Sequence, residues 1–175
     1  RKDLSAHAHI ENIVIESFQS PFEEIKSAAS YALGNIAVGN FSQQIINSGN
    51  NNISFGHYSS NVLNNGANNI SIGNESLRNT NRYNNNISIG HSNFRDLNST
   101  VDYDVNNDYN ISIGNIAGQT ALGGYNSFIG HSSGVSAQSN RSIALGYKSL
   151  YSSIGDDNIA IGYESMADSR IFPSN

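Results

Sequence analysis

A five-residue phrase that returns at nearly fixed intervals constrains this chain more than any other feature. It reads Asn69-Ile70-Ser71-Ile72-Gly73, then Asn86-Ile87-Ser88-Ile89-Gly90, then Asn110-Ile111-Ser112-Ile113-Gly114. Looser copies end at Gly39, Gly56, Gly130, Gly146 and Gly162, so that successive glycines stand 17, 17, 17, 24, 16, 16 and 16 residues apart. Self-similarity at such a period is the mark of a solenoid, in which each repeat buries its apolar face only against its neighbours. Within each copy the residue one before the glycine is Val, Phe, Ile or Leu, and the residue three before is Ile in seven of eight copies. A small residue separates them, except at Ser127-Phe128, where an aromatic takes the small residue's place. Alternation of β-branched and small residues predicts a strand with one buried face, here the aliphatic one.

A coil of 16–17 residues at about 3.3 Å per residue has a perimeter near 55 Å, enough for two strands of about five residues and two tight corners. About eight such coils would stack into a rod near 38 Å long. Asn stands four residues before the glycine at Asn35, Asn52, Asn69, Asn86, Asn110, Asn126 and Asn158. Identical amides in register can hydrogen-bond along the stack, and a left-handed corner role is compatible with that. Asn52, Asn69, Asn86 and Asn110, with the eight repeat glycines, are therefore expected to be structural. The repeat domain is placed at 35–170, with an insertion at 99–107 that fills the 24-residue interval and an exit segment at 171–175.

Residues 1–34 differ in kind and read as a leader with a capping helix. Ser20-Pro21-Phe22-Glu23 has a capping-box start, and Phe22, Ile25, Ala29 and Ala32 share one helical face. A helix over about 21–32 is expected, covering the open end of the stack. The opening residues Arg1-Lys2-Asp3 have the look of an internal cut in a longer protein.

Composition narrows the function classes. Asn supplies roughly one residue in six, and 16 glycines suit a fold of many tight turns. A net charge of −5 gives no basic footing for nucleic acid or an anionic membrane. Cysteine is absent, which removes thiol catalysis and thiolate metal sites, and no apolar run is long enough to span a membrane as a helix. No nucleophile elbow, phosphate loop or H-E-x-x-H motif occurs, so the chain is read as non-enzymatic. Asp102, Asp104, Asn106 and Asp108 alternate as in the front half of a calcium loop, but Asn107 replaces the turn glycine and Ile113 the closing Glu. A solvated surface loop is the competing reading. His57, His91 and His131 each follow a repeat glycine at an exposed corner, too far apart to share one metal ion.

The phrase Asn158-Ile159-Ala160-Ile161-Gly162-Tyr163-Glu164-Ser165-Met166 and its relatives resemble two groups of repeats. One is the YadA-like head of trimeric autotransporter adhesins, a left-handed parallel β-roll, and the other is the similar β-roll repeat of phage tail fibres. The likeness covers about residues 35–166; the 16–17-residue period departs from the shorter adhesin repeat and leans towards a tail fibre. The resemblance implies a parallel homotrimer, an extracellular place on a cell surface or virion, and attachment to a host or target cell receptor. In such trimers an H-x-H pair like His7 and His9 can hold an axial iron ion. Oligomerisation is also expected physically, since a roll this thin buries little surface alone. The small-residue face (Ala37, Ser54, Ser71, Ser88, Ser112, Ala144, Ala160), or the Leu77–Phe94 ridge, is expected as the subunit contact. Tyr58, Tyr125, Tyr147 and Tyr163 are candidate ring platforms for a glycan. A plain structural spacer and an ice-binding solenoid are the other readings.

Overall fold

The computed structural model describes residues 34–44, 49–63, 65–80, 82–95 and 107–168. The expected helix at 21–32, the pair His7 and His9, the exit segment and all of the insertion but Asn107 lie outside these residues. The described chain is all-β and contains no helix. Its eight strands are β1 (Ile36–Val38), β2 (Ile53–Phe55), β3 (Ile70–Ile72), β4 (Ile87–His91), β5 (Ile111–Asn115), β6 (Ser127–Ile129), β7 (Ile143–Leu145) and β8 (Ile159–Ile161). They form one parallel sheet in sequence order, the arrangement of a β-solenoid. Register follows the repeat: Ile53 faces Ile70, Ile70 faces Ile87, and Ile87 faces Ile111. The extra residues of the 24-residue interval do not disturb it, because β4 and β5 pair over five residues, including Gly90 with Gly114.

The two faces of the strand are the reverse of the expected assignment. Ser54, Ser71, Ser88, Ser112, Ala144 and Ala160 are fully buried, whereas Ile72, Ile113, Ile129, Ile143 and Leu145 are exposed. The reason is width. A coil of 16–17 residues encloses too little room for two isoleucines per strand, so the small residue turns inward and the aliphatic pair turns out.

The opposite wall supplies the bulk instead. Leu77, Phe94 and Leu150, four residues after their glycines, are buried and join Leu63, Phe128 and a set of alanines in the core. Serines fill the remaining space and tie the walls together. Ser59 Oγ donates to Ser71 O at 2.9 Å, Ser71 Oγ to Ser76 O at 2.8 Å, and Ser76 Oγ to Ser88 O at 2.9 Å. A hydroxyl both donates and accepts, so such a chain of buried polar groups is satisfied internally.

The lapse at Ser127-Phe128 has its explanation here. Phe128 points into the core like the serines and alanines of its column. Two glycines stand where other coils carry Leu or Phe: a Cβ on Gly134 would lie 2.3 Å from the Phe128 ring, and one on Gly118 would lie 3.0 Å from it. Large-in-small and small-in-large have been exchanged between the walls, leaving interior volume nearly constant.

The second wall is not the five-residue strand expected from perimeter arithmetic. Residues two and four past the glycine take left-handed backbone angles, as in Glu75 (φ 55°) and Leu77 (φ 52°), or Ser92 (φ 54°) and Phe94 (φ 43°). Their amides bond alternately to the two neighbouring coils: Glu75 N donates to His57 O at 2.9 Å, and Leu77 N to Asn93 O at 3.0 Å. Such angles are unfavourable for Leu, Phe and especially Ile116 (φ 51°). The inter-coil hydrogen bonds and burial hold them there.

Candidate binding surface

Three columns of side chains run along the outside of the stack, each fixed by the same register. The first is the outward face of the sheet. Its members stand one and three residues before the glycines, and at β8 Ile159 and Ile161 remain 67% and 64% exposed. Exposed or half-buried aliphatic and aromatic side chains therefore line the sheet from β1 to β8, broken only by Ser127 in β6. Eight strands at about 4.8 Å and three residues at about 3.3 Å give a face of roughly 400 Å². That lies within the range of the largest apolar patch on a typical monomer and is often functional there.

The second column follows the glycine. Here His131 stacks on Tyr147 with ring centroids 5.4 Å apart, and Tyr147 on Tyr163 at 5.1 Å. Tyr163 is 73% exposed and Tyr147 39%. His57 and His91 belong to the same column but face asparagines in the adjoining coils, His57 with Asn74 at 3.4 Å and His91 opposite Asn115. The third column lies five residues before the glycine. It holds the Tyr109–Tyr125 stack at 4.8 Å and the Arg141–Asp157 ion pair at 2.7 Å. Tyr58 belongs to none of these. It is half-buried, stacked on Phe41 at 4.8 Å and covered by the Arg78 guanidinium at 4.6 Å. Tyr125, Tyr147 and Tyr163 are thus open to solvent on two different columns, and Tyr58 is largely occupied.

The asparagine column sits inside, at the turn into the strand. Asn69 N and Asn69 Nδ2 both donate to Asn52 Oδ1 at 3.0 Å, and Asn69 Nδ2 also donates to Tyr83 O across the interior at 2.6 Å. Asn86 N donates to Asn69 Oδ1 at 3.0 Å, Asn110 N to Asn86 Oδ1 at 2.8 Å, and Asn126 N to Asn110 Oδ1 at 2.9 Å. The left-handed corner falls one residue earlier, at Asn51, Asn68 and Asn85. Asn52, Asn69, Asn86 and Asn110 are buried, so none offers its amide to an external ligand.

Neither expected subunit contact is available for docking. Ser54, Ser71, Ser88, Ser112, Ala144 and Ala160 of the small-residue face, and both Leu77 and Phe94, are interior. Ala37, in the first described coil, is exposed.

Asp108 is the one described member of the alternating acidic set. Its carboxylate accepts from Asn84 N at 2.7 Å and Asn84 Nδ2 at 3.2 Å. Asp102, Asp104 and Asn106 lie outside the described residues. Among the described residues no group of three His, Asp or Glu side chains is placed to hold a metal ion. Beside Asp108 the Tyr83 phenol is buried and accepts from Asn107 Nδ2 at 2.7 Å. Burial pushes its pKa up to about 12, with the Asn107 hydrogen bond opposing and the Asp108 charge reinforcing the shift.

Lys148 was not singled out by the sequence pattern. Its ammonium lies 5.5 Å from the Tyr147 ring centroid and 5.7 Å from that of Tyr151. A cation two residues past a glycine is invisible to repeat analysis, because that column also holds Phe41, Tyr58, Glu75 and Ser92.

No protein-family model matches the chain, and no solved structure matches it. A 45-residue stretch, 26% of the chain, is 87% identical to the cullin-associated NEDD8-dissociated protein 1 of Arabidopsis thaliana. The matched stretch is 4% of that protein's length. At 45 residues that match is shorter than three repeats.

Proposed function

We propose that this chain is a non-enzymatic fibre or adhesin module, a left-handed β-roll that assembles as a parallel homotrimer and attaches to a target cell surface, with glycan as the ligand class. The observation that carries this reading is the outward aliphatic face. A solenoid whose interior is largely serine, alanine and asparagine gains little from apolar burial on its own. Its isoleucines are spent on the outside, in rows matched to the repeat, where parallel copies in the same register could cover them. Three chains side by side would also triple every surface column, so that weak contacts act together. The resemblance to adhesin heads and tail-fibre repeats supports the same architecture and an extracellular place on a virion or cell.

Adhesion of the fluorescently labelled chain to a panel of bacterial and animal cells tests the role. Retention on at least one cell type is expected, together with a loss of about tenfold or more when Ile113→Asn and Ile129→Asn break the assembly. A chain that is trimeric yet adheres to none of the panel would be a structural spacer, and the attachment reading would fall.

A further inference from the structure

We propose that the corner carrying Tyr147, Lys148 and Tyr151 is a binding site for an anionic saccharide. It deepens the attachment reading by naming the ligand's chemistry, and it rests on that reading only for its biological use.

Three observations converge on this corner. The Lys148 ammonium is held beside two tyrosine rings, at 5.5 and 5.7 Å from their centroids. Among the described residues it has no carboxylate partner, whereas Arg78 and Arg95 are bridged by Glu75 and Arg141 is paired with Asp157. A half-buried cation without a carboxylate partner, on a chain of net charge −5, is a local attractor for an anion on an otherwise repelling surface. The neighbouring rings supply the second half of the site. Tyr147 and Tyr163 form a continuous exposed stack, and aromatic surface of this kind covers the C–H face of a pyranose while its hydroxyls stay wet.

The backbone keeps this arrangement in place. Lys148 N donates to His131 O at 2.9 Å, and Glu164 N donates to Tyr147 O at 2.8 Å, so the rings and the cation ride on consecutive coils of the stack. A neutral sugar would use the rings alone. A sugar bearing a carboxylate or a sulfate would add a charge-assisted hydrogen bond to the ammonium. Glu164, next in the Lys148 column, opposes that anion and tempers its affinity.

Calorimetric titration of the whole chain with sialyllactose, a heparin-derived tetrasaccharide and lactose tests the site. At least one acidic sugar is expected to bind about fivefold or more tighter than lactose, and the acid it carries assigns the natural group. Lys148→Gln should remove that advantage, Lys148→Arg should keep it within about twofold, and Glu164→Gln should tighten binding about twofold. Of the two positions Glu164 is exposed and Lys148 half-buried, and unchanged thermal melting confirms that the fold is intact. Equal binding of lactose, an unaffected Lys148→Gln variant, or no binding of either acidic sugar overturns the proposal. Cell adhesion that persists in Lys148→Gln would leave the attachment role standing without this site. Saccharide binding by a chain that adheres to no cell would do the reverse.

Discussion

Exchanging Phe128 and Gly134 for the residues that neighbouring coils carry tests the interior packing directly. Phe128 is fully buried, and an aromatic side chain buries about 200 Å², worth roughly 5 kcal/mol at 25 cal/mol per Å². Alanine keeps part of that, so Phe128→Ala should cost about 3–4 kcal/mol, in line with aromatic truncations in other cores. Gly134→Leu alone should also destabilise, because its Cβ would lie 2.3 Å from the Phe128 ring. The backbone itself would accept leucine, since Leu77 and Leu150 occupy the equivalent place at φ 52° and 53°, against 65° at Gly134. Combined, the two changes recreate the Ala144–Leu150 pairing of the next coil. The double variant should therefore recover most of the loss, with a coupling of about 3 kcal/mol in a double-mutant cycle. Thermal melting followed by circular dichroism reads this out. Phe128→Ala should lower Tm by about 6–16 °C and the double variant by no more than a few degrees. Additive losses, or a Phe128→Ala variant that melts like the parent, would refute the inward placement of this column.

Three further outcomes follow from the same geometry. Gly90→Ala should cost several kcal/mol, because its Cβ would fall 1.8 Å from the Gly114 carbonyl oxygen at φ 133°. Gly162→Ala shares the backbone angle (φ 121°) but would meet nothing within 4 Å, so denaturant melts of the two variants separate inter-coil clash from backbone strain. Asn69→Ala leaves the Asn86 amide and the Tyr83 carbonyl without their partners and should cost about 2–4 kcal/mol, whereas mutation of the solvent-facing Asn74 should cost under about 0.5 kcal/mol. Tyr83 gives a pH signature. Its pKa rises from 10.0 to about 12 on folding, so its contribution is fully present below pH 10 and is lost as pH climbs from 10 to 12, up to about 2–3 kcal/mol. Alkaline unfolding curves should show that decline, and Tyr83→Phe should flatten it.

Much of the fold was legible in the glycine spacing, because a fixed period leaves a chain few ways to bury its repeats except by stacking them. The register of Ile70 on Ile87 on Ile111 could be read across even the 24-residue interval. The facing of the strand could not. Alternation separates two sets of residues but does not say which set is inside, and hydrophobicity favoured the isoleucines. The discriminating signal was present in the paired anomaly of Phe128 with Gly118 and Gly134, which makes sense only if the small-residue column is interior. The second wall was beyond reach, since Leu77, Phe94 and Ile116 are residues whose own preferences argue against left-handed angles. On the surface, the Tyr147–Tyr163 column follows from the period, while Lys148 depends on a single coil and carries no repeat signature.

The mass of the folded chain in native solution tests the central claim most directly. The outward isoleucine rows are read as a surface between chains, so native mass spectrometry at micromolar concentration should give three copies of the 18.8 kDa chain. Substituting Ile113→Asn and Ile129→Asn, both outward, should yield single chains with the same circular dichroism. A parent chain that is folded, soluble and monomeric at that concentration would contradict the account.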